Sequence, residues 1–293
     1  MSHRVVYVDA FTTKPFSGNP CAVVLEAGDL SEGEMLLIAR ETNQPETSFV
    51  STSKEADFRV AYFTTRQRIP FAGHPTIATA FLLALEGAIR PGRPAVVKFQ
   101  FDIGVLPVEV HFTADGRPEH AVMTQATPVF SSLHEAAAVA PCLGLAETDL
   151  LPGLPAQVVS TGVPFLMVPA RDLDVLRKAE MDRPRLRALL AAAKVSAAFL
   201  FCLQGFDPGS DTHARFFDPD GTMEDPFTGS AAGGMGAYIV RHGLKSGPLL
   251  NIEQGHLLGR PGHGVLEVRG SGEDIKTIKL SGSAVKTLEG TIL

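Results

Sequence analysis

The 293-residue sequence has no tryptophan and only three cysteines, Cys21, Cys142 and Cys202. An odd number of widely spaced cysteines without a C-x-x-C pair argues against a disulfide framework and predicts a reducing, cytoplasmic location. No run of about 18 uncharged apolar residues occurs, so we expect no membrane span. The N-terminus lacks the apolar stretch and cleavage site of a signal peptide. These absences argue against secreted disulfide scaffolds and membrane proteins.

An excess of basic charge is also missing. The 26 Lys and Arg residues are outnumbered by 32 Asp and Glu residues, which gives a net charge of −6. A nucleic-acid-binding protein needs a basic surface, so we expect no nucleic-acid partner. The remaining composition, 45% hydrophobic and 20% charged, is that of a globular protein. Its length favours two domains.

Sequence motifs for nucleotides, nucleophilic serines and zinc are absent. There is no G-x-x-x-x-G-K-[ST], no G-x-S-x-G and no H-E-x-x-H. His256 and His263 lie in a glycine-rich stretch downstream of His242, and this pattern is interpreted as lacking the carboxylate or cysteine that would complete a ligand set. The sequence therefore predicts that the protein has no metal site.

Most of the hydrophobic pattern is typical of strands, with few helices between them. One amphipathic helix is predicted after Ser31, which forms a capping box with Glu34. The segment 127–154 is rich in Ala, Pro and Leu and is interpreted as a connection between domains. Together these patterns predict a chain of many strands and few helices.

Two similar segments suggest an internal duplication. Pro70-Phe71-Ala72-Gly73 and Pro226-Phe227-Thr228-Gly229 each follow a strand that ends in two aromatic residues, and each opens an uncharged stretch. The stretches 75–85 and 230–240 are apolar on every helical face, which is typical of a buried helix. Each half of the chain is therefore predicted to contain one central helix surrounded by strands.

The predicted start of each central helix is a candidate anion site, because unpaired N–H groups there attract carboxylates and phosphates. The neighbouring polar residues are candidates for acid–base chemistry: Glu46, His74, Asp225 and Ser230. A structural interpretation stays open at this point. Gly73 and Gly229 could be turn glycines, His74 and Ser230 ordinary helix caps, and Glu46 a solvated loop residue.

Several of these segments together resemble one known family. They are Asp9-Ala10-Phe11-Thr12, Pro15-Phe16-Ser17-Gly18-Asn19-Pro20, the stretch 43–49 with Glu46, Gly73-His74-Pro75-Thr76, Arg215-Phe216-Phe217, the stretch 224–231, Gln254-Gly255 and Gly259-Arg260-Pro261. In this order and over nearly the whole chain they are similar to the phenazine-biosynthesis PhzF-like isomerases, which are relatives in fold of diaminopimelate epimerase.

The resemblance implies a duplicated α+β fold of the diaminopimelate epimerase type, in which each domain wraps a curved, mostly antiparallel sheet or barrel around a central helix. The implied domains are residues 1–125 plus 281–293 and residues 126–280, with the active site in a cleft between them. It further implies a homodimer and catalysis without a cofactor.

The resemblance also assigns roles to individual residues. Glu46 is expected to be the general base, and His74, Asp225 and Ser230 to line the site. Substrate carboxylates are expected to bind to the amides beside Gly73 and Gly229, with Asn19 as a further substrate contact.

The leading functional hypothesis is therefore an isomerase that moves a proton within a small carboxylate-bearing metabolite. One alternative is an epimerase, racemase or dehydratase of an amino or hydroxy acid, for which Cys21 is the candidate thiol. A second alternative is a non-catalytic protein that binds small anions. One departure from the family pattern is Arg68, which stands where an acidic residue is typical and could alter the charge of the site and the choice of substrate.

Overall fold

The computed structural model describes residues 2–92, 94–221 and 223–293. The chain forms two compact units, Met1–Thr124 with Ser281–Leu293, and Gln125–Leu280. Both units contain strands and helices, so the predicted α+β class is confirmed. No helix in the described ranges is long and apolar enough to cross a membrane.

The strands in chain order are β1 (His3–Ala10), β2 (Asn19–Val24), β3 (Glu46–Ser51), β4 (Phe58–Phe63), β5 (Arg68–Ile69), β6 (Ala95–Phe101), β7 (Gly104–Phe112), β8 (Pro118–Gln125), β9 (Val129–His134), β10 (Ala156–Ser160), β11 (Pro164–Pro169), β12 (Ala198–Cys202), β13 (Thr212–Phe217), β14 (Leu249–Gln254), β15 (Gly262–Ser271), β16 (Asp274–Gly282) and β17 (Ala284–Ile292). The α-helices are α1 (Glu32–Thr42), α2 (Gly73–Leu85), α3 (Ala136–Val139), α4 (Leu173–Lys178), α5 (Arg183–Ala193) and α6 (Gly229–Arg241). Short 3-10 helices cover Ala27–Asp29, Ala140–Leu143, Glu147–Asp149 and His256–Leu258.

In the first unit, β1 lies between β17 and β2 and is antiparallel to both. Strand β2 is parallel to β3, β3 is antiparallel to β4, β4 is parallel to β6, and β6 is antiparallel to β7. Helix α2 contacts β1, β2, β3, β7 and β17. Every residue of α2 except the last is buried, as expected for a helix that is apolar on all faces.

The second unit repeats this order of pairings. Strand β10 is antiparallel to β11, β11 is parallel to β12, β12 is antiparallel to β13, β13 is parallel to β14, and β14 is antiparallel to β15. In chain order, helix α6 lies between β13 and β14, just as α2 lies between β4 and β6. The same sequence of parallel and antiparallel steps in both units supports the predicted duplication.

Helix α6 packs closely because its buried face is built from small residues. A Cβ atom at Gly234 would lie 2.9 Å from the Met167 Cε atom, and one at Gly236 would lie 3.1 Å from Leu266 Cδ1. Helix α6 contacts β10, β11, β12 and β15, so these glycines allow the strands to approach the helix backbone.

The interpretation of residues 127–154 as a connection between domains is wrong. Strand β9 pairs with β10, and the residues after it enter the core of the second unit. Val139, Leu143 and Leu150 are almost completely buried there, against α4 and α5 residues such as Leu176 and Leu186. The Ala- and Pro-rich composition resembles a linker, but burial of the intervening apolar side chains makes the segment part of the core.

Candidate active site

Glu46 and His74 form a close pair within the first unit. Glu46 is the first residue of β3, opposite Cys21 of the parallel strand β2. His74 is the second residue of α2, and its side chain is only 5% exposed. The Nε2 atom of His74 lies 3.5 Å from the Oε2 atom of Glu46. The start of a strand and the first turn of a buried helix therefore hold a carboxylate and an imidazole together.

The other side of the His74 ring faces the start of β2. Its Nδ1 atom lies 3.0 Å from Nδ2 of Asn19, a completely buried residue. Burial lowers the pKa of His74 to about 3, and a hydrogen bond with the Pro20 backbone opposes this only partly. The imidazole is therefore neutral at physiological pH, and it can pass a proton without carrying a lasting charge.

The N-terminus of α2 has no side-chain cap. The N-cap residue is Ala72, and Gly73 is the first helical residue. The Thr76 hydroxyl donates to the Ala72 carbonyl at 2.6 Å and lies 2.8 Å from the Tyr62 hydroxyl. These contacts hold the first turn of α2 in place without using its N–H groups. A helix start without a side-chain cap offers its first N–H groups to an external acceptor.

The start of α6 in the second unit also lacks a side-chain cap on its amides. The Thr228 hydroxyl instead donates to Asp225 Oδ2 at 2.5 Å, while its backbone N–H donates to Gln254 Oε1 at 2.9 Å. The side-chain amide of Gln254 donates to the Asp225 carbonyl at 2.8 Å. Gln254 therefore fixes the loop that carries Asp225 into the helix.

A second glutamine holds the first turn of α6 from its carbonyl side. Gln125 Nε2 donates to the Gly229 carbonyl at 2.9 Å, and the Thr161 hydroxyl donates to Gln125 Oε1 at 2.6 Å. The same hydroxyl lies 3.2 Å from the Ser230 carbonyl. These contacts position Gly229 and Ser230 and leave the first amides of the helix to other partners.

The predicted site residues thus form two groups. Asn19, Glu46, Gly73 and His74 are neighbours in the first unit, whereas Asp225, Gly229 and Ser230 share one turn of the second. That both groups serve one active site remains a prediction. Sequence reasoning missed Gln125 and Thr161, for which the sequence offers no signal beyond single polar residues near strand ends.

Cys21 has the environment of a structural cysteine. Its side chain is completely buried, and the thiol lies 3.4 Å from the Ala22 carbonyl and 3.5 Å from the Ser48 hydroxyl. Burial raises the pKa of Cys21 to about 12. Since the thiolate is the reactive form, this environment disfavours Cys21 as a base or nucleophile.

Arg68, the departure from the family pattern, is held by acidic neighbours. Its Nε and Nη2 atoms lie 2.7 and 2.5 Å from the two carboxylate oxygens of Asp102, and Nη1 lies 3.3 Å from Glu32. The positive charge of Arg68 is therefore balanced by carboxylates of its own unit.

The expectation that no carboxylate accompanies His256 and His263 is wrong. Glu253, three residues before His256, and Asp207, 46 residues before Glu253, place carboxylate oxygens within 4.8 Å of the ligand nitrogens of both histidines. Parallel pairing of β13 with β14 brings these segments together. His242 is not a member of this group.

Residues 8–290 match the family described as phenazine biosynthesis-like protein. The chain belongs to this family. An uncharacterized isomerase of Bacillus subtilis (strain 168) is 34% identical over 285 residues, with 96% of each chain covered. The predicted family resemblance is thereby confirmed, and the protein is an isomerase of the family.

Two further relatives are informative about fold and chemistry. A trans-2,3-dihydro-3-hydroxyanthranilate isomerase of Pseudomonas fluorescens is 31% identical over 294 residues and is covered over 99% of both chains. The crystal structure of a phenazine biosynthesis protein of the PhzF family from Bacillus anthracis matches with a TM-score of 0.90 at 31% identity, over 100% of this chain and 99% of the other. The predicted fold class is therefore confirmed at the level of the family.

Proposed function

We propose that this isomerase moves a proton from one carbon atom to another within a small carboxylate-bearing metabolite, without a cofactor. The observation that carries the proposal is the Glu46–His74 pair, in which a carboxylate at a strand start lies 3.5 Å from a buried, neutral imidazole. A carboxylate held in a partly desolvated position is a suitable general base for carbon acids.

In the proposed reaction, the Glu46 carboxylate accepts a proton from a substrate carbon. The electron pair of that C–H bond moves into the conjugated system of the substrate and towards its carboxylate. Glu46 then returns the proton to a different carbon, directly or through His74, so the product has the composition of the substrate and Glu46 is again a carboxylate. The neutrality of His74 is important because a neighbouring imidazolium would stabilise the Glu46 carboxylate and weaken it as a base.

The two helix starts are proposed to hold negative charge on the substrate. The first-turn amides beside Gly73 and Gly229 have no side-chain cap, and an anion near them is stabilised by hydrogen bonds and by the helix dipole. As charge develops in the transition state, fixed amide donors stabilise it more than they stabilise the ground state. Asn19, Asp225 and Ser230 are proposed to orient the substrate.

The name of one relative supports a proposal for the substrate class. The relative from Pseudomonas fluorescens is named for trans-2,3-dihydro-3-hydroxyanthranilate, which carries a carboxylate on an unsaturated ring. We propose compounds of this class, cyclic or conjugated carboxylic acids with a removable C–H proton, as substrates.

The epimerase, racemase or dehydratase alternative with Cys21 as thiol is disfavoured by the burial of that thiol. The alternative of a non-catalytic anion-binding protein differs in one observable respect, because a binder does not exchange substrate protons with water.

A homodimer remains a prediction, and light scattering of the purified protein measures it directly.

The decisive experiment compares wild type with Glu46→Gln in deuterated water. Trans-2,3-dihydro-3-hydroxyanthranilate and a panel of related conjugated acids are incubated with each protein, and C–H exchange is followed by proton NMR. We expect exchange and isomerisation with wild type, loss of both by at least about a hundredfold in Glu46→Gln, and similar ligand binding in the two. The control is Glu41→Gln, which makes the same change from carboxylate to amide at an exposed position near the end of α1.

Two results contradict the proposal. Normal turnover by Glu46→Gln would exclude Glu46 as the base. A ligand that both proteins bind, with no deuterium exchange in either, would identify the protein as a binder of that ligand.

A further inference from the structure

A second polar cluster lies in the second unit, and the proposed proton transfer does not use it. It consists of Asp207, Glu253, His256 and His263, whose nearest ligand atoms all lie within 4.8 Å of one another. Asp207 lies in the loop between β12 and β13, and Glu253 lies in β14. His256 lies in the 3-10 helix after β14, and His263 lies at the start of β15. We name these four residues the His–carboxylate cluster.

The distances in the cluster are close to those of a metal coordination sphere. His263 Nε2 lies 2.6 Å and His256 Nε2 lies 3.1 Å from the same oxygen, Asp207 Oδ2. His256 Nε2 lies 3.7 Å from Glu253 Oε2. In a tetrahedral zinc site with bonds of about 2.0–2.1 Å, neighbouring ligand atoms are about 3.3–3.4 Å apart. Small side-chain rotations therefore convert the hydrogen-bonded cluster into a coordination sphere.

Neighbouring groups fix the orientation of the carboxylate of Glu253. Its side chain is completely buried, and its Oε1 atom accepts the Phe206 N–H and lies 3.2 Å from His213 Nδ1. Oε2, which accepts the Asp207 N–H at 3.2 Å, is the oxygen nearest His256. A ligand carboxylate held by a histidine and backbone amides is a typical outer-sphere arrangement of metal sites.

Aromatic packing holds the histidine side of the cluster. The ring of Phe206 stacks on the ring of His256, with centroids 5.1 Å apart and an angle of 9° between the planes. Such stacking restricts rotation of the imidazole and keeps Nε2 directed at the carboxylates. A preformed donor set loses less side-chain entropy when an ion binds.

Charge and ligand type favour a divalent transition metal. Two carboxylates carry a charge of −2 when ionised, which one divalent cation balances while both imidazoles stay neutral. Imidazole nitrogen is a ligand for zinc, copper, nickel and iron, whereas magnesium and calcium prefer oxygen alone. When Nε2 of each histidine binds the ion, the one proton of the neutral imidazole is carried by Nδ1, so the charges of the site stay balanced.

We propose that the His–carboxylate cluster is a structural site for one divalent metal ion of the zinc type. The ion joins the loop after β12 to the loop after β14. It takes no part in the proton transfer at Glu46. Gln254, the residue after Glu253, forms hydrogen bonds with Thr228 and Asp225 at the start of α6. An ion bound to Glu253 therefore also restricts the motion of the end of β14 that holds the start of α6.

The test uses the full chain without a histidine tag, freed of metal by a chelator. Zinc chloride is titrated against a coloured zinc chelator at neutral pH, and cobalt(II) chloride is added separately as a spectroscopic probe. We expect one zinc ion per chain, visible cobalt absorption of the tetrahedral type, and a higher melting temperature with zinc. His263→Ala, at a half-exposed position, should weaken zinc binding at least about tenfold.

His111→Ala is the matched control. His111 stacks on His120 and lies 3.7 Å from Glu109, so it is another histidine beside a carboxylate but outside the cluster. Its removal should leave zinc binding unchanged. Asp207→Asn should behave like His263→Ala, and circular dichroism verifies that both variants are folded.

Wild type that binds zinc no more tightly than His263→Ala would overturn the proposal, as would an equal loss in His111→Ala. Chelator-treated wild type should keep its proton-exchange activity. The zinc titration can therefore contradict the metal site without contradicting the proposed proton transfer, and the proton-exchange assay can do the reverse.

Discussion

The imidazole of His74 lies between Asn19 and Glu46, with Nδ1 3.0 Å from the Asn19 amide nitrogen and Nε2 3.5 Å from Glu46 Oε2. All three residues stand at the first or second position of a strand or helix, so the local fold sets their separation. The pair of His74 and Glu46 is consequently fixed before any substrate arrives, and its protonation can be tested directly.

The first prediction concerns the pH dependence of stability. The pKa of His74 is about 3 in the folded protein, and an unfolded histidine has a pKa of about 6.5. Since the folded value is depressed, the unfolded chain takes up a proton as the pH falls below about 6.5, and stability is lost down to about pH 3. His74→Asn should therefore reduce the slope of unfolding free energy against pH by about 1.4 kcal/mol per unit between pH 6 and 4.

Urea unfolding of wild type and His74→Asn at several pH values measures this slope. The difference between the two proteins isolates His74 from the other histidines. Identical slopes would show that folding does not lower the pKa of His74, and would contradict the effect of burial on this imidazole.

The second prediction concerns the thiol of Cys21. With its pKa raised to about 12 by burial, the thiol should resist alkylation by iodoacetamide at neutral pH until the protein unfolds. Cys21→Ala should keep proton-exchange activity within about threefold of wild type, at some cost in stability from the lost packing. Mass spectrometry of native and urea-treated protein counts the modified cysteines. Rapid native alkylation of Cys21 that abolishes activity would favour the epimerase alternative.

The third prediction concerns Gly229. We expect Gly229→Val to weaken binding of a substrate carboxylate more than it lowers the melting temperature, because a Cβ atom obstructs access to the first amides of α6. Gly236→Val is the contrast: its side chain would press on Leu266 and Val268 and should lower the melting temperature. Calorimetric binding and thermal melting are measured on both variants. Unchanged affinity in a well-folded Gly229→Val protein would rule out an anion site there.

The fourth prediction concerns Arg215, whose guanidinium contacts Glu224 through two nitrogens, at 3.1 and 2.8 Å. A third nitrogen donates to the carbonyls of Leu176 and Ala179 at 2.8 and 2.9 Å, which joins β13 to the end of α4. A lysine cannot form this forked set of bonds. Arg215→Lys should therefore lower the free energy of unfolding by about 1–3 kcal/mol.

Arg185→Lys is the control for Arg215, because Arg185 is exposed and pairs with Asp182 three residues earlier. Such surface pairs contribute about 0.3–0.5 kcal/mol, and a lysine retains the charge. Chemical denaturation of both variants gives the comparison. Equal losses in the two would contradict the assigned role of Arg215.

The sequence was informative wherever a local pattern decides the structure. Helices α2 and α6 could be predicted because their apolar residues cover every face, and the capping box at Ser31 and Glu34 is present at the start of α1. The repeated Pro-Phe-x-Gly segments likewise predicted two similar units, although they did not predict the order in which the strands of each unit pair.

Features that depend on contacts between distant segments could not be predicted. Asp207 lies 46 residues before Glu253, and only the fold brings the Asp207 carboxylate to Glu253 and the two histidines. Gln125 reaches the Gly229 carbonyl across 104 residues. The strand β9 escaped prediction for a related reason, because its role is defined by its partner β10 rather than by its own composition.

The pairing of β17 with β1 has a consequence for synthesis of the protein on the ribosome. Strand β1 is bonded to Ala284–Ile292 along its whole length, from His3 opposite Ile292 to Ala10 opposite Ala284. Domains commonly fold in the order in which they are translated. Here the first unit lacks one flank of β1 until residues 284–292 emerge, and residues 125–280 emerge before them. We therefore expect the first unit, most of which is synthesised first, to complete its folding after the second unit.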